Sequence, residues 1–171
     1  MNLAMLRSFS SFKLDQRNLV REGWDTLAKL PFGKTAFSFL VGKAAPYTGN
    51  IKARIVEIKP GYAKVELKDR SSVRNHLKSI HAIALANVAE LAGNVALSYS
   101  LPADARFIVT KMDIKYLKKA RGTIFAIGEC PIPKTNIRKE YIVPVKIVDA
   151  EDDLLCEVKL HSLVGPKKQD G

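Results

Sequence analysis

Between His81 and Tyr99 the chain carries apolar side chains on every side of a helical wheel: Ala82, Ile83, Leu85, Val88, Leu91, Val95 and Leu97. A helix that is apolar all round is a buried helix. Four polar residues interrupt it: Asn87, Glu90, Asn94 and Ser98. At about 100° per residue, with Asn87 as zero, Glu90 falls near −60°, Asn94 near −20° and Ser98 near +20°. They form one stripe. Burying a carboxylate is costly, so this stripe faces something other than plain core. The rest of the chain supplies what can enclose such a helix. Period-two patterns mark strands at 51–58 and 62–68, joined by the turn Lys59-Pro60-Gly61, and again at 108–116, 122–129, 139–148 and 154–164. The helix stops before Pro102, and Pro144 predicts an edge position or bulge in its strand. One apolar helix among strands joined by short turns has a natural solution. An antiparallel sheet curls around it, giving an α+β fold.

Ahead of the strands, helical spacing of Leu19, Val20, Trp24, Leu27 and Leu30 predicts a helix over about 16–30, closed by Pro31. A second, shorter helix is predicted over 35–41, closed by Gly42 and Pro46. Acidic and basic residues are mixed on the polar face, which favours a cap on the sheet over a membrane-surface helix. The predicted organisation is an N-terminal helical extension over 1–48, one sheet-and-helix domain over 49–165 and a flexible tail over 166–171. The 171 residues suffice for one core. No apolar run is read as reaching the ~20 residues of a membrane span.

The net charge of +11 points to an anionic partner: nucleic acid, phospholipid or a phosphate-bearing ligand such as coenzyme A. Cys130 and Cys156 lack metal-ligand spacing and read as reduced thiols, so a cytoplasmic location, no metal and no cofactor are expected. The opening segment 1–9 has no signal-peptide core or cleavage site. It does hold Ser and basic residues with no acid before Asp15, a composition shared with organelle-targeting leaders.

The first N–H groups of a helix lack intrahelical partners and carry partial positive charge. The backbone at Ala82 and Ile83 can therefore hold a carbonyl or oxyanion, with His81 at the helix start and Asn75 as a further donor. Glu90 can serve as base or nucleophile. Nine residues of helix, however, separate His81 from Glu90 by about 13 Å along the axis. The two meet on one carbonyl only if a two-fold dimer lays the start of one helix beside the middle of its partner's.

The run Asn75, His81 six residues later and Glu90 nine residues after that resembles the hotdog-fold acyl-CoA thioesterases of the PaaI and 4-hydroxybenzoyl-CoA types. The likeness extends over about 51–164. It takes in the strand–strand–helix–four-strand order and the segment Tyr116-Leu117-Lys118-Lys119-Ala120-Arg121-Gly122, similar to a Tyr-x-x-Pro-Ala-Arg-x-Gly turn of that family. The resemblance implies a hotdog fold, with the antiparallel sheet wrapped around one long central helix. It implies Glu90 as base or nucleophile, Asn75 orienting the substrate carbonyl or water, and the Ala82 amide polarising a thioester. It implies a homodimer or a dimer of dimers acting on acyl-CoA or an acyl carrier protein, with the acyl chain beside Val88, Leu91 and Val95. His81, Ile83 and Asn94 would complete the substrate site. Arg74, Lys118, Lys119 and Arg121 would meet coenzyme A phosphates. Two departures stand out. The family's His-Gly-Gly is His81-Ala82-Ile83 here, which narrows the backbone approach that glycine permits. Val109 occupies a place where the family often has Ser or Thr, with Thr110 one position off.

Each reading has a plainer rival. Glu90 could pair with Arg74 or Arg106, His81 could simply cap the helix, and Asn94 could orient Glu90. The lysines and arginines near 115–121 could be a solvated face. His76 lies fourteen residues before Glu90, the spacing of hotdog dehydratases, but the Pro- and Gly-rich loop of those enzymes is missing. His161 reads as an exposed strand position. The rival functions are a non-catalytic acyl- or lipid-binding module and, less favoured, a basic nucleic-acid-binding domain, for which no recognised motif is present.

Overall fold

The long helix, α4 in chain order, spans Ala82–Ser100 and lies across a single antiparallel sheet. The computed structural model describes residues 17–167. The expectations for 1–9, for Gln16 and for 168–171 lie outside those residues. Before α4 come α1 (Leu19–Leu27), α2 (Gly33–Ala44), α3 (Pro46–Gly49), β1 (Arg54–Lys59), β2 (Tyr62–Leu67) and one 3₁₀ turn, Ser71–Val73. After it come β3 (Ala105–Tyr116), β4 (Ile124–Glu129), β5 (Lys139–Val148) and β6 (Leu154–Pro166). The strand order is β1-β2-β4-β5-β6-β3, with every neighbouring pair antiparallel.

Alternation sets which side of each strand meets the helix. Ala63, Val65 and Leu67 of β2, Ala126 of β4, Val143, Val145 and Ile147 of β5 and Leu160 of β6 are essentially fully buried. Against them lie Val88, Ala89, Ala92, Ala96 and Leu97 of α4. Each large aliphatic side chain so buried contributes roughly 1.5–3 kcal/mol. Small residues bring helix and sheet together at one crossing. A methyl on Gly128 would sit 2.9 Å from the Ala92 carbonyl, and one on Gly93 would collide with Leu160 Cδ1.

By length and composition α4 could cross a membrane, contrary to the sequence reading. Its burial against the sheet makes it the core of this fold instead. Its C-terminal carbonyls, orphaned as at any helix end, are collected by α1. Asn18 Nδ2 donates to Ser98 O (2.8 Å) and Leu101 O (3.1 Å), and Arg21 donates to Tyr99 O (2.8 Å) and Leu101 O (2.7 Å). The Arg21 charge also complements the negative end of the helix. Trp24 of α1 meets Phe37 of α2 edge-on, with ring centroids 5.3 Å apart.

Several expectations change. The second helix runs through Gly42 to Ala44, and α3 was not anticipated. Gly42 is a packing residue rather than a stop: a methyl on Gly49 would lie 2.5 Å from Gly42 O. Pro144 lies on an interior strand, not an edge. Its missing N–H is tolerated because the β4 ladder ends one residue away, at Val145. At the other end, β6 continues to Pro166 and Lys167 N–H donates to Asp104 O (2.9 Å), so pairing persists past the expected start of the tail.

Candidate active site

The stripe on α4 points away from the sheet. The fully buried Ala89, Ala92 and Ala96, of which Ala92 meets Gly128 of β4, fall about 140–200° from Asn87 on the wheel, which leaves Asn87, Glu90, Asn94 and Ser98 on the far side. Asn87 is buried beneath α3 and donates to Tyr47 O at 3.4 Å. Glu90 and Asn94 are half-buried, and Asn94 Nδ2 donates to Glu90 Oε1 at 3.4 Å. The Oδ1 atoms of Asn87 and Asn94 are buried without a hydrogen-bond partner among the described residues. Neither rival cation reaches Glu90. Arg74 is paired with Asp69 (2.6 Å), and Arg106 donates to Pro166 O (3.2 Å).

The helix start is built from three segments. His81 is the N-cap, and its Nδ1 accepts from Ile83 N at 3.1 Å. That bond spends one of the two amides expected to hold a carbonyl. The Ala82 N–H makes no hydrogen bond among the described residues. The Ile83 side chain is 54% exposed, so it stands beside this amide rather than filling core. The Tyr116 hydroxyl donates to Ala82 O at 3.1 Å, and burial holds that phenol above its ordinary range, so it remains a donor. Ile80 N donates to Ala120 O (2.9 Å), which docks the 117–122 turn on the helix start.

Asn75 sits beside this point. Its Oδ1 accepts from Leu77 N (2.9 Å), Ser79 N (3.3 Å) and Ser79 Oγ (3.2 Å), which fixes both the loop and the orientation of the amide. Only Nδ2 is left to act outward, so Asn75 can donate to a carbonyl but cannot accept from water with its oxygen.

The basic residues divide. Arg74 is held by Asp69, a side chain only 7% exposed whose other oxygen accepts from Gly122 N (3.2 Å). The Arg74 guanidinium, with Gly122 N–H and the Arg121 charge, holds the Asp69 carboxyl below its usual range. Lys118 is paired with Asp153 (2.9 Å). Lys119 and Arg121 are exposed and make no ion pair among the described residues. Asp69, which organises this corner, was missed by sequence reasoning. The available signal was a lone carboxylate among Lys68, Arg70 and Arg74.

The structure therefore gathers Asn75, His81, Ala82, Ile83, Arg121 and, through Asp69, Arg74 at the helix start. Glu90 and Asn94 stand two to three turns further along. Of Val88, Leu91 and Val95, the first and last are packed in the core, and only Leu91 lines open space. His76 is exposed, and His161 lies between Asp113 (3.0 Å) and Glu140 (3.4 Å), away from this site. Cys130 and Cys156 are free thiols, each pushed up to about 11 by burial. Among the described residues no group of three His, Cys, Asp or Glu could hold a metal ion.

Residues 33–164 match a family described as a domain of unknown function, DUF4442. The chain belongs to the DUF4442 family. No curated protein matches it. Among solved structures, the structural-genomics protein APC5556 is 30% identical with a TM-score of 0.75, covering 87% of this chain and 99% of that one. The thioesterase HI1161 of Haemophilus influenzae is 15% identical with a TM-score of 0.69, covering 83% and 96%. The PaaI protein of E. coli, from the phenylacetic acid degradation operon, is 17% identical with a TM-score of 0.59, covering 75% and 94%. These likenesses establish that this DUF4442 chain has the hotdog fold.

Proposed function

We propose that the protein hydrolyses an acyl thioester, at a site made by two copies of the chain. The observation that carries this reading is the pairing of an unspent helix-start amide, Ala82 N–H, with a carboxylate, Glu90, that has no cation on it among the described residues and lies on the open face of the same helix. One chain keeps them too far apart to act together, about 12 Å along the axis. A two-fold partner with an antiparallel helix brings each amide to the other chain's carboxylate. The half-buried Asn94, hydrogen-bonded to Glu90 with its own Oδ1 unpaired among the described residues, supports this reading, because it lies on the face such a partner and substrate would cover. The strand β3 supports it too, as a long sheet edge with Ile108 65% exposed.

The thioester carbonyl oxygen would sit on Ala82 N–H, with Asn75 Nδ2 as second donor. Glu90 of the other chain takes a proton from water as the hydroxyl adds to the carbonyl carbon. The C–S bond then breaks, the sulfur leaves with the proton from Glu90, and a carboxylic acid and a thiol are released. Asn94 positions the carboxylate through its hydrogen bond. Lys119 and Arg121 supply charge for a phosphate-bearing carrier, either coenzyme A or a carrier protein. The thioesterase name of HI1161 is in keeping with this chemistry. The test is free-thiol release from short, long and aromatic acyl-CoA esters by wild type and Glu90→Gln. Turnover that collapses in the variant is expected. Equal turnover in both would remove Glu90 from the reaction.

A further inference from the structure

Helix α2 meets the rest of the fold with one face only. Phe37 is buried against Trp24, and the Ser38 hydroxyl accepts from Ile55 N of β1 (2.9 Å). At about 100° per residue, with Phe39 as zero, Phe37 falls near 160°, while Lys43, Ala36 and Leu40 fall near +40°, +60° and +100°. Ala36, Phe39, Leu40 and Lys43 are all exposed, Phe39 by 62%. At the α1–α2 corner Leu30, Pro31 and Phe32 are exposed as well. Phe32 is the N-cap of α2 and is held in the left-handed region (φ 59°), where glycine is the ordinary choice. It is 89% exposed, so the fold gains almost no burial in return for the strain.

The charge of this segment is one-sided. Between Asp25 and Glu57 the chain carries Lys29, Lys34, Lys43, Lys52 and Arg54 and no acid. Asp25 accepts from the Tyr99 hydroxyl (2.9 Å), and Glu57 pairs with Lys59 (2.9 Å). Arg54 is paired with Glu66, and Lys34 donates to Val56 O. Lys29 and Lys43 are exposed and make no ion pair among the described residues. The mixed charges that mark a cap therefore belong to α1, and α2 has no acid. Strand β1, on which α2 packs, is the sheet edge opposite β3, so a partner joined at β3 leaves this face open.

We propose that the outward face of α2 docks the protein on an anionic lipid bilayer, with α2 lying in the plane of the interface. Phe32, Phe39 and Leu40 enter the acyl boundary, and Lys29 and Lys43 stay among the headgroups. Two observations select a bilayer over a folded partner. The apolar side chains stand out from the convex side of a helix; a rigid partner needs a pocket for each, and a fluid bilayer needs none. The lysines face no acid, and each basic residue close to an anionic surface adds roughly fivefold to affinity. The strain at Phe32 is then returned in the membrane rather than in the fold. Docking here does not depend on hydrolysis at Glu90.

The experiment is sedimentation of the full chain with vesicles of phosphatidylcholine, alone or with about one-third phosphatidylserine. Binding to the mixed vesicles is expected, at least tenfold tighter than to the neutral ones and weaker as salt rises. Lys29→Glu/Lys43→Glu and Phe32→Gly/Phe39→Ser should each weaken it at least tenfold. Phe32→Gly alone should keep or raise the thermal midpoint while loosening the vesicles, a combination that a folding defect does not produce. Lys146→Glu/Lys159→Glu makes the same change in net charge at exposed positions on the sheet, and should leave binding within about twofold, which separates this face from the overall charge. No binding to the mixed vesicles would overturn the proposal. So would binding that the α2 variants leave intact, or that the Lys146/Lys159 variant weakens equally. Light scattering that shows self-association lost in Phe32→Gly/Phe39→Ser, with no vesicle binding by wild type, would assign the face to a second copy instead.

Discussion

Replacing Ala82 with proline removes one hydrogen atom's worth of chemistry and little else. Ala82 is the first residue of α4, the one helical position where proline is at home, because its missing N–H has no intrahelical partner to lose. Proline also restricts the residue before it to extended backbone, and His81 is already there, at φ −66° and ψ 141°. The cap from His81 Nδ1 to Ile83 N does not involve the Ala82 amide and stays in place. The stability of Ala82→Pro should therefore lie within about 1 kcal/mol of wild type, with any gain coming from a less free unfolded chain. Turnover should respond very differently. Loss of one preorganised oxyanion donor costs about 10²–10³ in rate, or about 2.7–4 kcal/mol. The assay is thiol release at saturating acyl-CoA, with thermal unfolding in parallel and Ala82→Gly, which keeps the amide, as control. Full turnover in a folded Ala82→Pro protein would refute the role of the amide. So would an equal loss in Ala82→Gly, which keeps the amide.

Other consequences follow from the packing and the charge pairs. Gly128→Ala should destabilise by about 1–3 kcal/mol, lowering the midpoint by roughly 2–4 °C per kcal/mol, because its new methyl meets the rigid Ala92 carbonyl at 2.9 Å. Gly93→Ala should cost less, since its closest clash is with the movable end of Leu160. Asp69→Asn should lose about 1–2 kcal/mol at pH 7, measured by urea unfolding. The native Asp69 pKa is depressed, so its contribution is full above the unfolded value of about 4 and fades as pH falls through the native value. The gap between wild type and variant should thus narrow on acidification and persist at pH 7–8. Cys130 and Cys156 should resist alkylation in the native state at pH 8 and react once unfolded, because burial holds both thiols near 11.

What the sequence revealed and what it hid divide by how local the signal is. The central helix and the strands declare themselves through period, and the strand at 139–148 appears with the same bounds in sequence and structure. The polar stripe was legible because helical geometry alone places four residues on one line. The α2–α3 turn was not, since Gly42 read as a stop signal while its task, shared with Gly49, is to let two helix backbones touch. Pro144 misled in the same way. Whether a proline lies on an edge depends on which strand neighbours it and where that ladder ends, which is a property of topology. The Arg74–Asp69 pair and the Ser79–Asn75 loop bonds depend on a turn conformation that composition does not encode. The outward face of α2 was only half legible. Its want of acids is plain in the sequence, but which side of the helix the fold leaves uncovered is not.

The central claim is that Ala82 of one chain and Glu90 of another act on the same thioester. Mixing the two inactive variants Ala82→Pro and Glu90→Gln after reversible dissociation tests it most directly. In a mixed dimer one site collects both defects and the other collects neither. Statistical exchange at equal amounts should therefore restore about a quarter of wild-type turnover. A mixture that stays as inactive as its parents, although exchange is shown to have occurred, would contradict the two-chain site.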